Sequence, residues 1–107
     1  MCLKKQFLKS KAKCKVTFRI SKDESLDAEK VAIVGEFNQW SLLVEPMKKL
    51  KNGDFTQTLE LDRGKEYQFR YFIDDERWEN DFGADRYVYS PFANCDNSVV
   101  SCIEEDI

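Results

Sequence analysis

The sequence predicts an all-β fold made of short antiparallel strands, and three observations carry this prediction. Apolar and polar residues alternate with the period of two that is typical of half-buried strands. Turn residues (Gly, Asn and Asp) separate the alternating segments. No segment has the periodicity of an amphipathic helix. About seven short strands with turns between them favour an immunoglobulin-like β-sandwich.

The predicted strands begin at residue 14. Residues 14–20 alternate, with the apolar side chains on one face. Residues 31–34 form a short apolar run that ends at Gly35, which is typical of a more fully buried strand. Asn52-Gly53 predicts a hairpin, because both residues tolerate the positive φ that a type I′ turn requires.

The second half of the chain continues the pattern. Residues 55–62 alternate, and the turn at Arg63-Gly64 leads into residues 67–73. One face there holds Gln68, Arg70 and Phe72, and the other holds the remaining residues of the strand, Tyr67, Phe69, Tyr71 and Ile73. Acidic residues then indicate a turn before a short strand near Trp78. We interpret residues 80–96 mostly as loop and residues 98–103 as the final strand.

Composition indicates one soluble globular domain. The 107 residues are 42% hydrophobic and 35% charged, so we expect a single domain over residues 1–107 with its core at about 14–102. No apolar run is long enough to cross a bilayer and no secretory signal is evident, which predicts a cytoplasmic protein with no membrane partner. The net charge of −3 argues against nucleic acid. The lysines of the first fifteen residues are interpreted as a solvated end.

Catalysis and metal binding have little support. Histidine is absent, which removes the commonest general base and metal ligand, and we expect no catalytic residue, no metal and no cofactor. The four cysteines, Cys2, Cys14, Cys95 and Cys102, form no C-x-x-C pair. We expect free thiols, with Cys14 and Cys102 as candidate neighbours on terminal strands.

Two tryptophans stand out, and each has two interpretations from the residues alone. Trp40 ends the corner Gly35-Glu-Phe-Asn-Gln-Trp40, where its ring could stack on a sugar or could plug one end of the sandwich. Trp78 lies among charged residues and could form a binding surface with Arg70, or could cover the sheet edge beside an ordinary surface arginine. The nearby acids could serve as glycosidase carboxylates or calcium ligands, although a solvated turn explains them more simply.

In combination these motifs resemble carbohydrate-binding module family 48. The resemblance rests on Val31-Ala-Ile-Val-Gly-Glu-Phe-Asn-Gln-Trp40, on Tyr67-Gln-Phe-Arg-Tyr-Phe-Ile-Asp74 and on Trp78, and it runs from about Cys14 to Cys102. The family includes the N-terminal early set domains of isoamylase and branching enzyme, and the glycogen-binding domain of the AMP-activated protein kinase β subunit. It implies an immunoglobulin-like sandwich, in agreement with the strand pattern.

The resemblance also implies a set of site residues. Two tryptophans, a basic residue and a late asparagine grip the glucan in glycogen-binding members, and they match Trp40, Trp78, Arg70 and Asn97 here. The chain departs from the kinase-subunit pattern near its closing strand. Ala93 and Cys95 stand where that version has a leucine and a threonine, so Phe92, Asn94 or Ser98 would have to substitute.

The predicted function is therefore non-catalytic binding of α-1,4-linked glucans, namely glycogen, starch or malto-oligosaccharides, on a tryptophan platform. The alternative is an interaction or scaffold domain that docks onto a separate glucan-metabolising enzyme or a kinase-like partner. A small glycosidase is the third hypothesis, and the resemblance argues against it because catalysis in such proteins belongs to a separate barrel domain.

Overall fold

Two antiparallel sheets pack face to face in the computed structural model, which describes residues 2–104. The predicted all-β sandwich is confirmed. Its strands are β1 (Cys2–Phe7), β2 (Lys13–Ile20), β3 (Val31–Gly35), β4 (Lys48–Lys49), β5 (Phe55–Asp62), β6 (Glu66–Ile73), β7 (Arg77–Glu79), β8 (Arg86–Ser90) and β9 (Cys95–Ser101). A 3₁₀ turn, Glu36–Asn38, follows β3.

The strands are divided between two sheets, which form the two layers of the sandwich. The four-stranded sheet has the order β1-β2-β5-β4. In the five-stranded sheet the order is β3-β6-β9-β8, and β7 pairs with the end of β6. Strand β6 is central to the second sheet, because β3, β7 and β9 all pair with it.

An aromatic cluster fills the space between the sheets. The inward residues of β2 are fully buried, as their alternation predicted, and so are Phe69, Tyr71 and Ile73 of β6, whereas Tyr67 is half-buried. The ring of Phe69 meets Phe18 edge to face at 5.2 Å between centroids and Tyr71 at 5.8 Å. Such edge-to-face contacts add to the stabilisation from burying apolar area. The cluster fixes β6 with one face inward, so its other face is available to a site.

The structure has more strands than predicted. The lysine-rich N terminus, interpreted as a solvated end, forms β1 and pairs with β2 along its whole length. Leu3 and Phe7 pack on the core, and Lys5 forms an ion pair with Asp85 (2.7 Å). Most of the segment interpreted as loop, residues 80–96, is irregular, but it contains β8, which pairs with β9. The predicted single domain of residues 1–107 stays a prediction, since residue 1 and residues 105–107 lie outside the described part.

The hairpin at Asn52-Gly53 is confirmed between β4 and β5, but its predicted type I′ turn is wrong. Gly53 has a positive φ of 93°, whereas Asn52 does not. The N–H of Gly53 donates to Leu50 O (3.0 Å), so Lys51 and Asn52 form the centre of the turn. The hairpin loop is therefore one residue longer than the two-residue loop that a type I′ turn requires. In this longer loop only the residue after the turn, Gly53, needs a positive φ.

The turn between β6 and β7 does have two consecutive residues with positive φ. Asp74 and Asp75 have φ of 52° and 56°, and Glu76 N donates to Ile73 O (3.1 Å). The Asp74 carboxylate accepts hydrogen bonds from the backbone N–H groups of Glu29 and Lys30, each at 2.9 Å. Asp74 therefore stabilises a turn, and this turn sets the register in which Trp78 faces β6.

Three thiols can be described, those of Cys14, Cys95 and Cys102, and all three are free. Cys14 and Cys102 are buried and lie side by side, as the sequence suggested. Burial raises the pKa of Cys102 to about 12, and the neighbouring Cys14 adds to the effect. Cys2 lies on β1, and its side chain is outside the described part of the structure. Within residues 2–104, no helix has the length and apolar character needed to span a bilayer.

Candidate functional site

An open groove of about 400 Å³ lies on the outer face of the five-stranded sheet. Three of the four predicted site residues, Trp40, Arg70 and Asn97, contribute to its lining. They come from three places in the chain: the corner after β3, the centre of β6 and the first half of β9. The antiparallel pairing of β6 with β9 brings Arg70 and Asn97 together across 27 residues of sequence.

The corner after β3 is shaped by two residues that do not touch the groove. A Cβ atom at Gly35 would lie 2.5 Å from Gln68 O and 2.7 Å from Phe69 Cβ, so β3 can approach β6 only with glycine there. The Asn38 side chain accepts from Gly35 N and donates to Ile33 O, both at 3.0 Å. These contacts hold the strand and the corner as one rigid unit.

The corner then divides its two aromatic residues between the core and the groove. Phe37 packs inward against Phe18 and Phe69. Gln39 and Trp40 both take a left-handed conformation with φ of 56°, and Trp40 N donates to Gly35 O (2.9 Å). The chain reverses sharply at this point, so the half-buried Trp40 lines the groove and does not enter the core.

Trp78 lies beside the groove. It pairs with Phe72 across β6 and β7, and their rings are in contact at an interplanar angle of 32° with centroids 4.5 Å apart. The Arg70 guanidinium carbon lies 4.9 Å from the centroid of the Trp78 ring, in cation–π geometry. Trp78 remains 39% exposed. Arg70 therefore links Trp78 to the groove that Trp40 also lines, and Phe72 already covers part of the Trp78 ring.

Arg70 and Asn97 each keep a buried polar atom with no hydrogen-bond partner among the described residues: Nε of Arg70 and Oδ1 of Asn97. Arg70 Nη1 lies 3.2 Å from Cys95 Sγ, and Asn97 Nδ2 donates to Gln68 Oε1 (3.1 Å). Asn97 is only 5% exposed. An unsatisfied buried polar group costs about 1–3 kcal/mol, so such groups call for a structural or functional reason. Here one donor and one acceptor remain unused in the lining of the same groove.

Sequence reasoning missed three residues that shape this site. Gln68 orients Asn97, Glu36 Oε1 accepts from Gln68 N (2.6 Å), and Phe72 supports Trp78. A signal for two of them was present, because Gln68 and Phe72 share the outward face of their strand with Arg70. The contact of Glu36 had no such signal, since it depends on the path of the corner.

The closing hairpin fills the rim of the groove differently from the pattern that the resemblance implied. Ala93 lies at the rim, and Cys95 contacts Arg70 instead of offering a hydroxyl. Phe92 lines the groove and is fully exposed. Ser98 is buried and accepts from Asp81 N (2.8 Å), while Asn94 contacts the Tyr89 hydroxyl. Of the three possible substitutes, Phe92 is the one that faces the groove.

The acidic residues near Trp78 do not converge. Asp81 is buried, where it accepts from the Tyr71 hydroxyl (2.6 Å) and from Gly83 N (2.7 Å). Burial raises the pKa of the Asp81 carboxyl. Asp74 stabilises a turn and Asp75 pairs with Lys30 at 3.3 Å. No cluster of three acidic, cysteine or histidine side chains within residues 2–104 is arranged to hold a metal ion.

Comparison with known families gives one match. The model of the glycogen recognition site of AMP-activated protein kinase matches residues 16–95. This stretch begins in β2 and ends at the first residue of β9, so it includes the corner, Arg70 and Trp78 but stops two residues before Asn97. No curated protein matches the chain significantly.

Proposed function

The chain belongs to the family of the glycogen recognition site of AMP-activated protein kinase, and we propose that it binds α-1,4-linked glucans in the groove on its five-stranded sheet without altering them chemically. The family assignment agrees with the resemblance that the sequence predicted. It supports carbohydrate binding without catalysis. The residues of the site are our proposal, and the geometry around Asn97 is the observation that carries it.

The unused polar atoms of the groove match the chemistry of a sugar. A hydroxyl group both donates and accepts a hydrogen bond. Asn97 Oδ1 can accept from a hydroxyl, while Arg70 Nε can donate to one. Both residues line the groove, and a small rotation of either side chain on binding would bring its unused atom to a glucose hydroxyl. Buried polar groups normally have a partner, so a donor and an acceptor without one beside the same groove support a ligand there.

Aromatic rings supply the apolar part of the site. One face of a glucose ring presents C–H groups, and an aromatic ring buries this face favourably. Trp40 and Phe92 both line the groove. We assign the main stacking contact to Trp40, and we assign to Phe92 the place of the projecting leucine of the kinase-subunit version. Trp78 would contact the sugar beside the groove and would hold the Arg70 guanidinium in place.

An open groove of this size predicts weak binding of short sugars. We expect dissociation constants on the order of μM to mM for an oligosaccharide, because the entropy lost on association offsets much of the contact energy. A branched polymer offers many equivalent ends and segments. Its apparent affinity is therefore higher than that of one short chain.

Native electrophoresis of the protein through gels with and without glycogen tests the proposal. We expect glycogen to retard the unmodified protein, and we expect Trp40→Ala to abolish this retardation while near-ultraviolet circular dichroism shows an intact fold. Leu43→Ala is the matched control, because Leu43 is 96% exposed and does not line the groove. Unchanged mobility of the unmodified protein in glycogen would contradict the proposal and favour the docking-domain alternative. Release of reducing sugar from amylopectin would contradict the absence of catalysis.

A further inference from the structure

The exposed aromatic side chains of the described residues fall in one stretch of the chain. They are Trp78, Phe82, Tyr87, Tyr89 and Phe92. The groove and its flank account for Trp78 and Phe92, but they do not account for Tyr87 and Tyr89, which are 45% and 57% exposed. Exposed aromatic groups that lie together mark interaction surfaces more often than scattered apolar residues do.

Tyr87 and Tyr89 lie on one face of the edge strand β8. They are two residues apart, so their side chains leave the strand on the same side at a spacing of about 7 Å. Tyr87 pairs with Ser98 and Tyr89 with Asp96, whereas Val88 pairs with Asn97. The two tyrosines therefore lie on the opposite face of the sheet from the groove. This is the inward side, but the four-stranded sheet does not cover them, as their exposure shows.

Both tyrosine rings are held by hydrogen bonds at their hydroxyl groups. The Tyr87 hydroxyl donates to Asp81 O, and the Tyr89 hydroxyl contacts Asn94 Oδ1. A ring fixed in this way loses little conformational freedom when a ligand stacks on it. The pair of rings, which we call the edge surface, is thus a preformed aromatic platform.

The turn between β8 and β9 connects the edge surface to the groove. Phe92 stands in this turn and lines the groove, and Asn94 of the same turn contacts Tyr89. β8 is the outermost strand of its sheet. A flexible polymer that leaves the groove beside Phe92 therefore meets the edge surface after passing around the end of a single hairpin.

We propose that the edge surface, Tyr87 and Tyr89, is a second contact site for the same glucan chain, reached around the β8–β9 turn. The proposal rests on glucan binding in the groove. It assigns polymer preference to the edge surface, since a chain of a few glucose units fits in the groove, whose lining includes only Ser90 of β8, without reaching the opposite face of that strand. A second copy of this chain is disfavoured as the occupant, because two molecules of net charge −3 repel each other.

Two probes and two variants of Tyr89 test the edge surface. Retention by glycogen is measured by affinity electrophoresis, and the dissociation constant for maltotriose by NMR titration. Tyr89→Ala is expected to weaken glycogen binding about three- to ten-fold through loss of one stacked ring, and to leave the maltotriose constant unchanged. Tyr89→Phe keeps the ring and removes only the hydroxyl contact with Asn94, so it should retain most of the glycogen binding that Tyr89→Ala loses. Leu43→Ala controls for the loss of an exposed apolar side chain elsewhere.

Each other outcome overturns the inference in a recognisable way. An equal loss for both probes would mean that Tyr89 acts on the groove through the hairpin turn. If Tyr89→Ala binds both glycogen and maltotriose as well as the unmodified protein, while Trp40→Ala binds neither, the groove is the whole site and the edge surface makes no contact. Failure of the unmodified protein to bind either probe would overturn the proposed function together with this inference. Self-association in sedimentation velocity that Tyr89→Ala abolishes would assign the edge surface to a second copy.

Discussion

The outer faces of the two sheets use their polar side chains in opposite ways. On the four-stranded sheet, Thr17 and Thr58 share a hydrogen bond of 2.8 Å between their hydroxyls, and Arg19 pairs with Asp54 at 2.7 Å. These partners lie on neighbouring strands or at a strand end, and water reaches them. On the five-stranded sheet, Arg70 and Asn97 are joined to neighbours but each keeps one buried atom unsatisfied.

This difference separates stabilisation from recognition. Exposed cross-strand pairs contribute about 0.2–1 kcal/mol each to a sheet and leave little bonding capacity for a ligand. On the five-stranded face, two buried atoms without hydrogen-bond partners lower the stability of the folded protein, which is a reason to expect a ligand on that face. Variants on the two faces should therefore affect different measurements.

The largest expected effect concerns the corner that positions Trp40. Gly35→Ala should lower the free energy of unfolding by about 1–3 kcal/mol, because the added Cβ meets the backbone of Gln68 and the Cβ of Phe69. Thr17→Ala on the other face should cost at most about 1 kcal/mol. Urea denaturation of both variants measures the difference. Equal losses would show that β3 can shift away from β6 at little cost, and would weaken the account of the corner.

Replacing Asn97 should have the opposite effect to replacing Gly35: glycogen binding should weaken while stability stays nearly the same. Asn97→Ala removes the unsatisfied Oδ1 together with the bond to Gln68, so the two effects on stability oppose each other and the melting temperature should change little. Glycogen affinity should fall about ten-fold through the loss of hydrogen bonds to sugar hydroxyls. Thr17→Ala should leave glycogen affinity unchanged. If Asn97→Ala and Thr17→Ala bind glycogen equally well, the five-stranded face has no special role in binding.

The smallest expected effect is a pH dependence on the four-stranded side. The Arg19 side chain and the Lys22 N–H donate to Asp54 and hold its pKa below the ordinary value. The resulting stabilisation is present above the ordinary pKa of about 3.9 and is lost as the pH falls through the lower pKa of the folded state. Asp54→Asn should therefore flatten the decline of stability in acid, as urea unfolding between pH 2 and pH 6 would show. A decline identical to that of the unmodified protein would assign the acid sensitivity to other carboxylates.

Local sequence patterns predicted most of the fold, because side-chain alternation reports directly on which face of a strand is buried. The alternation of β6 placed Arg70 outward, and the corner motif identified Trp40. Strand β1 was missed because its two lysines are adjacent and only two of its residues, Leu3 and Phe7, are large and apolar, so the segment shows no clear alternation. Strand β8 was missed because turn residues surround it and its tyrosines stay exposed. Both segments are strands because each pairs with one neighbouring strand, β1 with β2 and β8 with β9. The amino-acid composition of a segment does not reveal such pairing.

The candidate site was less predictable than the fold, for a different reason. The unsatisfied oxygen of Asn97 exists because β6 and β9 pair in one register, which brings Gln68 to its amide nitrogen and nothing to its oxygen. The contact of Trp78 with Phe72 depends on the turn at Asp74 and Asp75. Both features require the relative placement of segments that are distant along the chain.

The hydrogen bonds of Asn38 have a consequence for how fast a ligand exchanges. They fix the corner from two sides, so Trp40 occupies its place in the groove before any sugar arrives. For the proposed glucan binding, such a preformed site would need no rearrangement on association, and a modest affinity would then correspond to rapid release. A module that binds in the proposed way would exchange rapidly between the segments of a polymer. It would therefore occupy any one glucan segment only briefly.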